Sequence, residues 1–315
     1  EYRLALRNAG FDGFRVLLFQ QKGGLKQGDL EAGLKMDLDF FMGMLNAFNA
    51  GDLLSEVANQ IRAFETTTGA TDAALAESLE FMYRVMKNKQ PAKLEGKAAE
   101  LIGARGKKAL DTVEQIIKFL DQLTTEDYLE PLREVSRRFD EIGRASKPIV
   151  KITGEFWAQT TEGDGNFNMF RFLTNEGAEI ITEPIATWIA YMLWQTKIKA
   201  RDRKDLVEKG EEPKWYELGK RAQLEAGYLK KRAIAGFADT VFRREYTRMV
   251  EALGGTAHEI VDMDEMEALA HDFYHSRSEG GEGHLEVAKN IYYSHKHYAH
   301  MVLSLKPFGC MPSTQ

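Results

Sequence analysis

The chain contains a single cysteine, Cys310, in 315 residues, so it cannot close an internal disulfide. That scarcity fits a reducing compartment, and a cytoplasmic setting is expected. Long apolar runs are also missing. The longest, residues 16–19 and 188–194, fall far short of the roughly 20 residues that cross a bilayer. The start, Glu1-Tyr2-Arg3, lacks the basic stretch, apolar core and small-residue cleavage site of a secretion signal. There is no basic excess either: 42 Lys and Arg face 48 Asp and Glu, giving a net charge of -6 with the signs mixed along the chain. Neither nucleic acid nor a membrane is an expected partner. Internal repeats and low-complexity tracts are absent as well. What is present is 43% hydrophobic and 29% charged side chains, enough to bury a sizeable core and to exclude a disordered or fibrous chain.

Four compact apolar runs predict buried parallel strands: Phe14 to Phe19, Pro148 to Thr153, Ala178 to Thr182 and Met301 to Leu305. The segment Glu162 to Thr174 is long enough to cross over between the second and third of them. The expected architecture is α/β, a doubly wound, mainly parallel, Rossmann-like sheet carrying a large helical insertion. Residues 1–28 and 146–315 form the α/β domain, with a helical stretch over 184–275, and 29–145 form the helical module. Within that module no strand pattern occurs, and a gap so long exceeds any ordinary loop. Apolar residues recur at helical spacing instead: Phe40, Phe41, Met44, Leu45 and Phe48; Leu53, Leu54, Val57 and Ile61; Leu79, Phe81, Met82 and Val85; Leu129, Leu132, Val135 and Phe139. Thr71-Asp72 reads as a helix start, Gly143 as a stop, and Lys197 to Arg221 as a solvated face or helical hairpin. The chain opens without methionine and closes on Cys310 to Gln315 directly after an apolar run, so a piece of a longer protein is expected.

Ligands of open α/β sheets sit beyond the carboxyl ends of the strands, which directs attention to the residues after each run. After the first come Gln20, Gln21, Lys22, Gly23 and Gly24, where paired glycines permit close backbone approach and two amides offer donors and acceptors; an ordinary strand-to-helix turn is the competing reading. After the second come Gly154, Glu155 and the glycine-punctuated stretch to Asn166, in which Glu155 is either a general base or ligand acceptor, or simply a helix cap. After the fourth, Pro307, Gly309 and Pro312 surround Cys310, a position suited to a nucleophile or metal ligand, against the alternative of a small buried hydrophobe. Before the fourth, Gly281-Glu282-Gly283-His284 opens a helix whose start can present N–H groups to an anion, although the glutamates weaken that case.

His271 and His275 are four apart on a predicted helix, but without the glutamate of zinc proteases they read as surface or packing residues, as do His295, His297 and His300. Trp188, Tyr191, Met192 and Trp194 read as a core stripe. No Cys-x-x-Cys pair, Gly-x-Ser-x-Gly elbow or phosphate-binding Gly-x-x-x-x-Gly-Lys-Ser/Thr loop occurs.

Four stretches together resemble the 2-hydroxyglutaryl-CoA dehydratase-like family, in its acyl-CoA dehydratase activase-related branch. They are residues 9–21, 151–166, 281–290 and 303–313. The resemblance implies an iron–sulfur dehydratase or reductase component that uses one-electron chemistry on an acyl-CoA or related small molecule. A separate ATPase activator, protein or domain, would supply the electron. It implies Cys310 as a ligand of a [4Fe-4S] cluster, the other ligands coming from outside this chain, and Glu155 as a group in contact with substrate or cluster. Gln20, Gln21, Gly23, Gly24, Gly281, Gly283 and His284 would line the substrate crevice. The acetate-kinase-type glycine signature of the activator itself is not visible. The alternative is a non-catalytic scaffold that docks a dehydratase–activator complex, with Cys310 buried; a thiol enzyme using Cys310 as nucleophile ranks third, since no histidine stands at a recognisable activating spacing.

Overall fold

The structure is a computed structural model. It describes residues 2–11, 38–94, 96, 99, 102, 107–140, 142, 147–202, 218–278 and 281–306. The predicted strand at 14–19, the loop holding Gln20, Gln21, Gly23 and Gly24, the stop at Gly143, part of the 197–221 segment, and Cys310 therefore lie outside the described residues.

The chain divides into two compact units, residues 1–47 with 90–124, and residues 48–89 with 125–315. The first contains α1 (Tyr2–Asn8), the beginning of α2 (Leu38–Arg62) and α4 (Lys107–Leu123). Here the Asn46 side chain donates to the Gln122 carbonyl at 2.8 Å, and Gly43 leaves space beside the Gln122 side chain.

The second unit holds the remainder of α2, α3 (Ala70–Asn88) and α5 (Glu126–Asp140), then β1 (Ile149–Gly154), α6 (Phe156–Thr160), α7 (Met169–Asn175) and β2 (Glu179–Ile181). It continues through α8 (Ile185–Asp202), α9 (Leu218–Ala252), α10 (Met263–Ala270), α11 (Gly283–His295) and β3 (Met301–Leu305). Two apolar groups that the sequence separates, Phe40 to Phe48 and Leu53 to Ile61, lie on the single helix α2. The start of α3 is capped differently from the expected Thr71-Asp72 signal: the Glu65 carboxylate accepts from the Gly69 and Thr71 amides at 2.7 and 2.9 Å. In α5 the predicted stripe of Leu129, Leu132, Val135 and Phe139 is buried, and Glu245 holds the helix entry through the Thr125 amide and hydroxyl at 2.8 and 2.9 Å.

The three strands form one parallel sheet in the order β2-β1-β3. Ile149 pairs with Glu179 on one side of β1, and Ile152 and Gly154 pair with Leu303 and Leu305 on the other. Period-two alternation sends Val150 and Ile152 to one face, where they meet Phe170 and Leu173 of α7 and Ile180. Lys151 and Thr153 point to the opposite face and meet α11 at Tyr293 and Asn290. The sheet is thus covered by helices on both faces, the condition under which parallel strands are stable. A larger core joins Leu53, Leu54 and Val57 of α2 to Leu132 and Phe139 of α5, Tyr191 and Trp194 of α8, and Tyr246 and Met249 of α9. The His300 ring accepts the Ile149 amide at 2.9 Å and its own amide donates back to the Ile149 carbonyl at 2.8 Å, so this histidine aligns the start of β3 beside β1.

Candidate functional site

At the carboxyl edge of the sheet, β1 ends on Gly154 with φ +114°, a conformation that favours glycine. A Cβ there would lie 2.1 Å from the Leu305 carbonyl oxygen, so only glycine lets the ends of β1 and β3 come this close. The Glu155 amide donates to that same carbonyl at 2.7 Å. The Glu155 side chain caps α6, its Oε2 accepting from the Ala158 amide at 2.9 Å. Trp157 of α6 and Phe167 of the following loop are 63% and 92% exposed, large apolar surfaces beyond this edge.

Beneath the edge lies a buried polar network on the α11 face. Lys151 has no exposed surface; its Nζ lies 2.7 Å from Glu183 Oε2 and donates to the Thr182 carbonyl at 2.8 Å. Burial holds the Lys151 ammonium below its usual value, while the charges of Lys151 and Lys289 overcome burial at Glu183 and bring its carboxyl to about 2. Lys289, 1% exposed, donates to Gln159 Oε1 at 3.2 Å, and Gln159 Nε2 donates to Glu282 Oε1 at 3.4 Å. Burial pushes the Glu282 carboxyl up to about 7, the charge of Lys289 opposing and those of Glu183, Glu286 and Glu155 adding to the rise. Glu286, also buried, accepts from the Ser304 hydroxyl at 2.9 Å and pairs with Lys306 at 2.8 Å, which ties α11 to the exit of β3. Such an arrangement can store a proton near neutral pH at Glu282 beside a fixed cation, Lys289.

The predicted residues fall into three groups. Glu155 lies at the strand edge. Gly281, Gly283 and His284 lie at the start of α11: Gly281 has φ +91°, and a Cβ on Gly283 would meet the Tyr274 hydroxyl at 2.7 Å, so this second glycine serves close packing. His284 is 2% exposed, parallel to the Trp194 ring at 6.2 Å and to the Tyr191 ring at 6.4 Å, and burial lowers its basicity. Gln20, Gln21, Gly23, Gly24 and Cys310 form the third group, outside the described residues. Of the expected aromatic stripe, Tyr191 and Trp194 are buried, but Trp188 and Met192 are each 37% exposed, because they face away from the core on α8. His271 and His275 do not share a helix: α10 ends at Ala270, their rings lie 4.5 Å apart, and His271 Nδ1 contacts the Ser276 hydroxyl at 2.9 Å.

No protein-family model, curated protein or solved structure matches this chain. The donor set does not fit a four-iron cluster held by this chain alone. Such a cluster takes thiolates on most of its irons, the sequence has one cysteine, and among the described residues no group of three or more His, Cys, Asp or Glu side chains is placed to hold a metal.

Sequence reasoning missed Lys151, Gln159, Glu183, Glu282 and Lys289 as a group. Lysine in the middle of a strand covered on both faces was the available signal, since a buried ammonium requires a partner.

Proposed function

We propose that this chain is the substrate-binding α/β part of a cytoplasmic iron–sulfur dehydratase- or reductase-like component, which acts on an acyl-CoA or related small molecule with an ATPase activator as electron donor. One observation carries the reading. Three of the four stretches behind the resemblance, separate in sequence, meet at one place: 151–166 runs beside 303–306 through the β1–β3 ladder, and 281–290 joins both through Thr153 to Asn290 at 2.7 Å and Ser304 to Glu286 at 2.9 Å. The doubly wound, Rossmann-like form of the sheet, with residues 14–19 as a further strand, belongs to the same proposal. In it, Glu155 and the start of α11 border the crevice, and Cys310 is a ligand of the cluster. The cluster's other ligands come from outside this chain, and no chemical step is assigned to it here.

The test is iron and acid-labile sulfide content with electron paramagnetic resonance on the protein purified without oxygen, alone and with its activator, against Cys310→Ser. A cluster signal lost or altered by the substitution supports the reading. An unchanged cluster overturns the role of Cys310, and the absence of iron in both preparations overturns the redox reading in favour of a docking scaffold.

A further inference from the structure

A second feature adjoins the buried polar network, sharing Glu183 with it and Glu162 with the 151–166 stretch. Beyond the end of β2, against α2, is a cavity of about 70 Å³ whose wall includes Asp52, Glu56, Asn59, Glu162 and Glu183. That volume exceeds the ~10–15 Å³ that admits one water, so there is room for a group larger than a single water molecule. Its carboxylates are unequally neutralised. Glu183 has Lys151 at 2.7 Å, and Glu162 has Arg62 at 3.1 Å. Asp52 and Glu56 stand one turn apart on α2. Among the described residues Asp52 makes no ion pair, its Oδ2 accepting the Ile185 amide at 2.5 Å. Burial, with Glu56 adding its charge, pushes the Asp52 carboxyl up to about 7.

Glu56 is 2% exposed. Its Oε1 takes the His258 amide at 2.9 Å and the His258 ring, whereas its Oε2 is buried with no hydrogen-bond partner. An unmet buried carboxylate oxygen costs about 1–3 kcal/mol, more when charged; Glu183 Oε2, on the same wall, has the ion pair with Lys151 but no further hydrogen bond. A ligand that brings both a positive charge and N–H donors would satisfy Glu56 Oε2 and hold Asp52 ionised. Ca²⁺ and Mg²⁺ take six or more oxygen ligands and Zn²⁺ commonly three or four protein ligands, and among the described residues no group of three or more acidic or His side chains is placed to hold a metal. Phe170 and Pro184 add apolar wall for a short alkyl chain.

We infer that this cavity binds the ammonium group of a small aliphatic amine, with Glu56 Oε2 and Asp52 as its acceptors. The experiment uses the full chain and the probes methylammonium, ammonium, potassium and tetramethylammonium chloride at equal ionic strength, read by thermal melting and isothermal calorimetry. Saturable binding of methylammonium is expected, weakened about tenfold or more in Glu56→Gln, and absent with tetramethylammonium, which carries the charge without N–H donors. Methylammonium binding more tightly than ammonium assigns an alkylamine, and the reverse order assigns the free ammonium ion; both retain the N–H cation. Equal effects of methylammonium and potassium, no saturation below about 100 mM, or unchanged binding in Glu56→Gln would overturn the inference. Should Glu56→Gln fail to fold, Asp52→Asn, which keeps an acceptor for the Ile185 amide, must show the same weakening. None of these readouts involves iron, so this site and the redox reading stand or fall separately.

Discussion

Replacing Lys151 with methionine removes one charge from a buried pair. Lys151→Met keeps an unbranched apolar stem of similar length in the β1 position, so the perturbation is mostly electrostatic. It removes the 2.7 Å contact to Glu183, the hydrogen bond to the Thr182 carbonyl at 2.8 Å, and the ammonium 4.5 Å from the centre of the Tyr293 ring. Glu183, 5% exposed, then retains only the more distant Lys289 as a cation. Breaking one side of a buried pair costs about 3–5 kcal/mol in general, and a loss of that order is expected here. The double replacement Lys151→Met with Glu183→Leu removes the stranded charge and is expected to fall within about 2 kcal/mol of the original protein. Urea unfolding followed by tryptophan fluorescence reads the relevant region, because Trp157, Trp188 and Trp194 belong to the same unit as the pair. A loss below about 1 kcal/mol for Lys151→Met, or a double variant as unstable as the sum of its singles, would refute a desolvated, mutually dependent pair.

Asp52 and Glu282 are both held protonated near neutrality, so each binds its proton more tightly when folded than when unfolded. Their stabilising contribution is complete below the ordinary carboxylate range and is lost as pH rises to about 7, by up to about 1.4 kcal/mol per pH unit and group. Asp52→Asn and Glu282→Gln should each flatten the pH dependence of the urea midpoint across that window, and a curve identical to the original protein would refute the burial of that group. Glu183 acts with the opposite sign: its contribution is present above 4.5 and lost as pH falls through about 2, so Glu183→Gln should blunt acid unfolding in circular dichroism. Gly154→Ala places a Cβ against the Leu305 carbonyl at a φ that alanine disfavours, and a loss of about 2–4 kcal/mol with faster amide exchange in β3 is expected. Glu155→Ala should cost about 1 kcal/mol through the lost cap. Glu155→Asp should restore stability, so any activity still missing in it separates ligand contact from capping.

Strand positions were legible because a strand covered on both faces shows itself as a short apolar run, although β3, expected to be buried, is partly exposed, with Met301 at 45%. The expected strands 148–153, 178–182 and 301–305 fall on β1, β2 and β3 with small changes at their ends. The helix α5 was equally plain, since its buried residues repeat every three or four positions. Glu155 was recognised as either cap or ligand contact, and the capping half of that pair of readings is visible in the Ala158 hydrogen bond. Other features were hidden because their causes are distant in sequence. The cap of α3 comes from Glu65, outside the helix. The isolation of Trp188 and Met192 from the core depends on how α8 is turned against its neighbours.

The amino-acid sequence by itself determined the periodicities, and through them which segments become strands or helices, since burying an apolar face is a local demand repeated along each segment. It also determined that one thiol is present and that no apolar run is long enough to cross a bilayer. Tertiary structure decided which charges meet. Lys151 finds Glu183 and Lys289 finds Gln159 only after the helices close over the sheet. Asp52 and Glu56 become a cavity wall only once the end of β2 arrives beside α2. The reason is physical: apolar burial is summed residue by residue, whereas the state of a buried charge is set by the few groups within hydrogen-bonding distance of it, whatever their separation along the chain.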